Sequence, residues 1–345
     1  MQSQKVYIND ITEANILSEI KKGLEFVRCD TILDENSTVF IKPNLTDSYH
    51  RPGITTTPTM INAIIRTLSP LVKTVIVGES DGGNYSFSAN VALKNHLAYA
   101  TARNFQNVKV VNLSALPRTR ITENVLGKKI WIDLPTLLVN DVDCLISVPV
   151  LKTHAMTQGS FSIKNLWGCY PDPMRLLYHK NLSRKLALIN KILKNNLQIV
   201  DGFWALDGHG PMEGTPVATN KVLISNNPVA VDSVAAFLMS LDKRSIDHLE
   251  VAERFGLGTS DLQTITTNKN IEGERLSAFV PCKVKLDYFS WLLFRSELLS
   301  KLVLSSPITP SIYRFLNFFR SEEAKTYWSH YNKMRLDDSR GEEQQ

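Results

Sequence analysis

Apolar and polar residues alternate along this chain with two different periods, and the changes between them mark its elements. "KVYIN" (Lys5–Asn9) alternates residue by residue, as a half-buried strand does. The following "ITEANILSEIKKGLEFV" spaces its apolar residues by three and four and predicts a helix to about Val27. "STVFIKPN", which closes at Pro43, and "KTVIVGESDGG", broken by acids and glycines, read as buried strands. Between them "TTTPTMINAIIRTLS" predicts a helix, with Thr57 as its N-cap and Pro58 in the first turn. Strand, helix and strand in alternation predict an α/β fold, a mainly parallel sheet with helices on both faces.

The pattern continues downstream. "NVKVVNL" extends the sheet, and "TRITENVLGKKIWIDLP" predicts a β-hairpin insertion turning near Gly127. "VDCLISVPV" is another apolar strand, and "LSRKLALINKILKN" is an amphipathic helix with a basic face. "LQIVDGFWALDGHGPMEGTP" predicts a strand and then a glycine-rich loop. "KVLISNNPVAVDSVAAFLMS" predicts strand, turn and helix, with Asn227 as cap and Pro228 just inside. After about residue 280 the composition shifts to two aromatic, leucine-rich helical segments dotted with Arg and Lys, separated by Pro307 and Pro310. The expected division is an α/β domain over 1–280 and a helical C-terminal extension with a polar tail over 281–345.

The bulk numbers narrow the classes. The chain has 345 residues, 43% of them hydrophobic, enough for one large α/β domain or two smaller ones. A formal net charge of +5 is mild. It suits a small anionic ligand and argues against nucleic acid as a partner. The four cysteines are scattered without a CxxC pair. With a polar N-terminus and no run of eighteen apolar residues, the expected location is the cytoplasm.

Ligand chemistry in parallel α/β sheets gathers past the C-terminal strand ends. Five such places here carry polar groups: Lys42 and Asn44; Glu79, Ser80 and Asp81; Lys152, Thr153 and His154; Asp201; and Asp207, His209 and Glu213 in the glycine-rich loop with Gly214. A snorkelling surface lysine is the bland alternative for Lys42, though Pro43 forces an extended exit there. Glu79 and Asp81, two apart, are weak metal candidates, an acid–base couple, partners for Lys42, or a plain turn. Lys152 and His154 share a face if the chain stays extended, which suits proton transfer. Lys164 and Asn165 in "FSIKNLWG" look by spacing like an ordinary exposed pair, and His179 like a cap or surface residue. Asp232 on the "NPVAVDSVAA" helix calls for a buried partner, for which a site lysine is the natural candidate. No P-loop, dinucleotide fingerprint, HExxH or GxSxG motif is present.

Taken in order, "IKPNL", "VGESDGG", "VPVLKTH", "SIKNLWG", "VDGFWALDGHGPMEGTP" and "NPVAVDSVAA" resemble the domain of unknown function 362 family over roughly residues 38 to 260. The resemblance implies a shared α/β domain and a shared site at Lys42, Asn44, Lys152, His154, Lys164, Asn165, Asp201 and Gly214, but no reaction. Many members also resemble iron–sulfur proteins through a ferredoxin-type cysteine cluster, which Cys29, Cys144, Cys169 and Cys282 cannot reproduce. The leading expectation is an enzyme acting on a carboxylated or phosphorylated small molecule. Lys152 and His154 would transfer protons, Lys42 and Lys164 would bind the anion, Asp201 would orient a cation, and the loop with His209 and Gly214 would close over the ligand. The alternatives are a non-catalytic binding or assembly module, and a metal-dependent redox protein using Glu79, Asp81, His154 and His209. The cofactor is left unknown. The C-terminal helices are expected to pack on the core or form a homodimer seam, with peripheral membrane contact as the other reading.

Overall fold

The computed structural model describes residues 3–283, 287 and 292–304. Its first half alternates strand and helix: β1 (Lys5–Asp10), α1 (Ile16–Phe26), β2 (Thr38–Pro43), α2 (Pro58–Leu68), β3 (Thr74–Glu79), α3 (Ala89–Asn95), α4 (Ala98–Ala102) and β4 (Val108–Asn112). The hairpin β5 (Arg118–Val125) and β6 (Lys128–Pro135) forms its own two-stranded sheet. It turns through Leu126 and Gly127, both at positive φ, as a two-residue hairpin turn of the right twist requires. Then come α5 (Thr136–Asn140), β7 (Cys144–Val148), β8 (Val150–His154), β9 (Gln158–Ser160), α6 (Ser162–Asn165) and α7 (Leu182–Ile192). β10 (Asn195–Asp207), β11 (Thr215–Ser225), α8 (Pro228–Leu238), α9 (Asp247–Arg254) and β12 (Thr266–Thr267) complete the domain.

The main sheet runs β12-β1-β11-β10-β7-β2-β3-β4. From β10 through β7, β2 and β3 to β4 every pairing is parallel. β11 is antiparallel to both β10 and β1, which makes that end mixed. The two-residue period of the strands explains the layers. Val39, Ile41, Val75, Val77, Ile146 and Val148 point to one face and pack under α1 and α2 with Ile20, Leu24, Met60 and Ile64. Phe40, Ile76, Leu145 and Leu223 point to the other, against Leu186 of α7, Val234 of α8, Leu249 of α9 and Ile130 of the hairpin.

One interruption positions the site. Pro149 separates β7 from β8, and its carbonyl accepts from Asp201 N at 2.8 Å. β10 pairs first with β7 and, after a shift in register, with β8, so β8 carries the chain beyond the edge of the regular sheet. There it folds back on β9, with Lys152 opposite Ser160 and His154 opposite Gln158.

The caps differ from one another. Asn227 accepts from Val229 N and Ala230 N at the start of α8, as expected. Thr57 makes no side-chain cap on α2; its own amide donates to Asp201 Oδ2 at 2.6 Å. Of the C-terminal extension, α10 (Glu297–Leu304) buries Ser300 and Leu304 and leaves Leu298, Leu299 and Leu302 exposed. The second expected helix, past Pro310, lies outside the described residues. No helix among the described residues is long and apolar enough to cross a membrane.

Phe40 is fully buried, and its ring lies so close to Gly78 that a Cβ there would come within 2.7 Å. Phe40→Ala should lower unfolding free energy by about 3–5 kcal/mol, read from the urea midpoint at constant slope.

Candidate functional site

Seven candidate residues of the sequence reading line one cavity of about 360 Å³: Lys42, Asn44, Glu79, Lys152, His154, Lys164 and Asn165. β2 delivers Lys42, 1% exposed, and its Nζ lies 2.6 Å from Glu79 Oε2 and 2.7 Å from the Pro43 carbonyl. Glu79, at the end of β3, also accepts from Leu45 N at 3.1 Å and Ser80 N at 3.0 Å. Its carboxylate is thus engaged at both oxygens. Gly168 lies against this pair, where a Cβ would stand 2.8 Å from Lys42 Nζ and 2.9 Å from Glu79 Oε1.

β8 delivers the next two groups. Lys152, 2% exposed, donates to the Ile54 carbonyl at 2.9 Å. Burial, with Lys164, Lys42 and Arg51 nearby, holds its amine well below the usual lysine range. His154 Nδ1 accepts from Met156 N at 3.1 Å and Thr157 N at 3.4 Å. Burial first, then Lys164 and Lys152, hold its imidazole neutral, far below the ordinary histidine value. With Nδ1 accepting, the ring hydrogen of the neutral form sits on Nε2.

α6 delivers Lys164 and Asn165. Asn165 Nδ2 donates to the Lys42 carbonyl at 3.0 Å and Ser147 Oγ at 3.1 Å, bracing β2 and β7 from outside the sheet. Lys164 has neither a hydrogen bond nor an ion pair among the described residues, and burial pushes its amine down to about 7. α6 is fixed from below by Asp232, whose two oxygens accept from Ser162 N at 2.8 Å and Ile163 N at 3.0 Å. Asp232 therefore takes helix-end amides and not a site lysine as its partners, and burial raises it to about 8.

Other expected members lie elsewhere. Asp201 does not line the cavity; its oxygens accept from Thr57 N at 2.6 Å and Phe203 N at 3.1 Å, so they hold backbone where a cation had been expected. Asp81 accepts from Ala89 N and Asn112 Nδ2 at the start of α3 and does not join Glu79. His209 lies outside the cavity between Glu213 at 3.3 Å and Asp287 at 3.0 Å. Gly214 has φ +149°, and a Cβ there would clash with the Asp207 carbonyl, so glycine serves the turn itself. The loop still contributes, because Pro211 and Met212 line the cavity.

Reasoning from sequence missed Arg175 and read His179 as a cap or surface residue; both line the cavity. Arg175 is buried and donates to the carbonyls of Tyr170 at 3.1 Å and Asp81 at 2.7 Å. His179 packs edge-on to Trp167 and stacks on Phe294 of the C-terminal extension, and burial pushes it down to about 3. The aromatic run "LLYHKN" held the only signal, and it does not separate a cap from a cavity wall. Cys29, Cys144, Cys169 and Cys282 are all free, and no three His, Cys, Asp or Glu among the described residues group to hold a metal.

A three-layered α/β domain with a cation-lined cavity past its strand ends is the class these observations define. The model of the family described as "Domain of unknown function (DUF362)" matches residues 39–237, and the chain belongs to that family. Part of the chain is similar to the "Thylakoid-associated protein sll1697" of Synechocystis sp. (strain ATCC 27184 / PCC 6803 / Kazusa), 32% identical over 124 residues. That match takes in 34% of this chain and 39% of the relative, so most of either protein lies outside it. A solved Thermotoga maritima protein aligns over 71% of this chain and 60% of its own, at 14% identity and a TM-score of 0.39.

Lys164 gives a pH signature. Its amine titrates at about 7 in the folded protein and near the ordinary 10.5 once unfolded. Between those values the unfolded chain holds more protons, so this group makes stability rise with pH across that window and adds no slope below it. Asp232 acts oppositely between 3.8 and about 8 and cancels in a comparison of variants. In a buffer free of small anions, thermal midpoints of wild type minus Lys164→Met should rise from pH 7 to pH 10.

Proposed function

We propose that this protein is an enzyme that binds a small carboxylated or phosphorylated molecule in the cavity and transfers a proton on it. One observation carries the reading: Lys152, Lys164 and Arg175 meet in one cavity whose lining carboxylate, Glu79, is already held by Lys42. Buried positive charge without a matching carboxylate is costly and is relieved by an anion. Lys164 and Arg175 hold the anionic group. Lys152, whose amine burial and the neighbouring Lys164 hold well below the usual lysine range, accepts a proton, and His154 offers the Nε2 hydrogen. Lys42 and Asn165 position the floor. The free cysteines, two of them buried, support a reducing compartment, and the cytoplasm is the proposed location.

Mass spectrometry of small molecules that co-purify with the wild-type protein tests this reading. An anionic compound should accompany the wild type and be lost from Lys164→Ala. With that compound as ligand, Lys152→Ala and His154→Ala should keep affinity within a few-fold and lose turnover by about 10²-fold or more. Affinity lost in step with turnover would leave a binding module instead, and no anion on the wild type would remove the proposal.

A second reading concerns the extension. Leu298 and Leu302 are exposed on α10, and the name of the cyanobacterial relative records a thylakoid association. Both support a peripheral membrane contact. The full chain should then co-sediment with anionic phospholipid vesicles, and Leu298→Asp with Leu302→Asp should abolish it; wild type left in the supernatant would dismiss the contact.

A further inference from the structure

We propose that the anion is a phosphate monoester dianion carried on an apolar body. This rests on the preceding reading of the cavity as an anion site and narrows its substrate class. Charge comes first. Lys42 and Glu79 offset one another at 2.6 Å, and Glu79 also accepts from the amides of Leu45 and Ser80. Arg175 gives its hydrogen bonds to the main-chain carbonyls of Tyr170 and Asp81. Lys164 has no partner among the described residues. A single carboxylate brings only one negative charge to Lys164 and Arg175 together. A phosphate monoester brings about two negative charges and three strong acceptor oxygens. Lys164 and Arg175 enter from two separate segments, α6 and the turn Arg175–Tyr178, so the two can take different oxygens around one phosphorus.

Volume and lining supply the second half. A bare phosphate ion fills only a small part of 360 Å³. The rest of the wall includes Leu45, Phe87, Trp167, Leu176 and Met212. Trp167 is itself immobilised, stacked on Tyr170 at 5.1 Å with His179 edge-on at 5.4 Å. A wall of this kind rewards an apolar or aromatic group attached to the phosphate.

Calorimetric titration of the full chain at pH 7.5, in a buffer without small anions, separates the parts. The ligands are phenyl phosphate, benzoate, phthalate and inorganic phosphate. Phenyl phosphate should bind at least tenfold tighter than each of the other three, and its advantage over benzoate should shrink in Lys164→Gln. Benzoate or phthalate matching phenyl phosphate would overturn the phosphate assignment while leaving an anion site. Inorganic phosphate matching it would overturn the apolar body. Binding of none of the four would overturn the anion-site reading itself.

Discussion

The buried pair of Lys42 and Glu79 is the contact through which the cavity is assembled. It joins the ends of two neighbouring parallel strands, β2 and β3, at the point where both leave the sheet. Glu79 then draws in the Leu45 amide, which turns the chain after β2, and the Asn165 amide fastens the Lys42 carbonyl to α6. Such a pair is weak evidence for net stability, because two charges lose their water. Its value here is geometric. It engages the carboxylate of Glu79 in the cavity wall and leaves Lys164 without an ion pair among the described residues.

The fold was largely legible because its strands alternate so regularly. Val39–Phe40–Ile41 and Val75–Ile76–Val77 each send side chains to both faces, and only a sheet covered on both sides can bury such runs. Proline and asparagine at the strand end marked the exit at Lys42. The mixed end of the sheet was harder to read. β10 runs thirteen residues, through Trp204 to Asp207, because the ladder to β11 holds it extended across an irregularity between Gly202 and Trp204. Nothing local in "GFWALD" announces that partner.

The candidate site was legible in part, and the division has a physical cause. Lys42, Lys152 and His154 sit on strands, whose direction the apolar pattern reveals. Lys164 and Asn165 sit on a helix of one turn, too short to show a period, and only the resemblance singled them out. Arg175 and His179 reach the cavity through a 3₁₀ turn whose path is set by tertiary contacts with Trp167 and Tyr170. For Asp201 and Asp232, residue type suggested chemistry, yet both carboxylates hold main-chain amides. The sequence shows a buried acid; it does not show whether a backbone or a cation will satisfy it.

The fastening of the glycine-rich loop has a consequence for how the protein can diversify. Arg51 Nη2 grips this loop at the carbonyl of Met212, at 3.1 Å, while the Met212 side chain contributes to the cavity wall. The path of the segment is thus anchored through an atom that every amino acid possesses. Residue 212 can therefore change size and polarity without releasing the anchor, so the cavity wall can be remodelled at this position while Lys42, Lys152 and Lys164 keep their places.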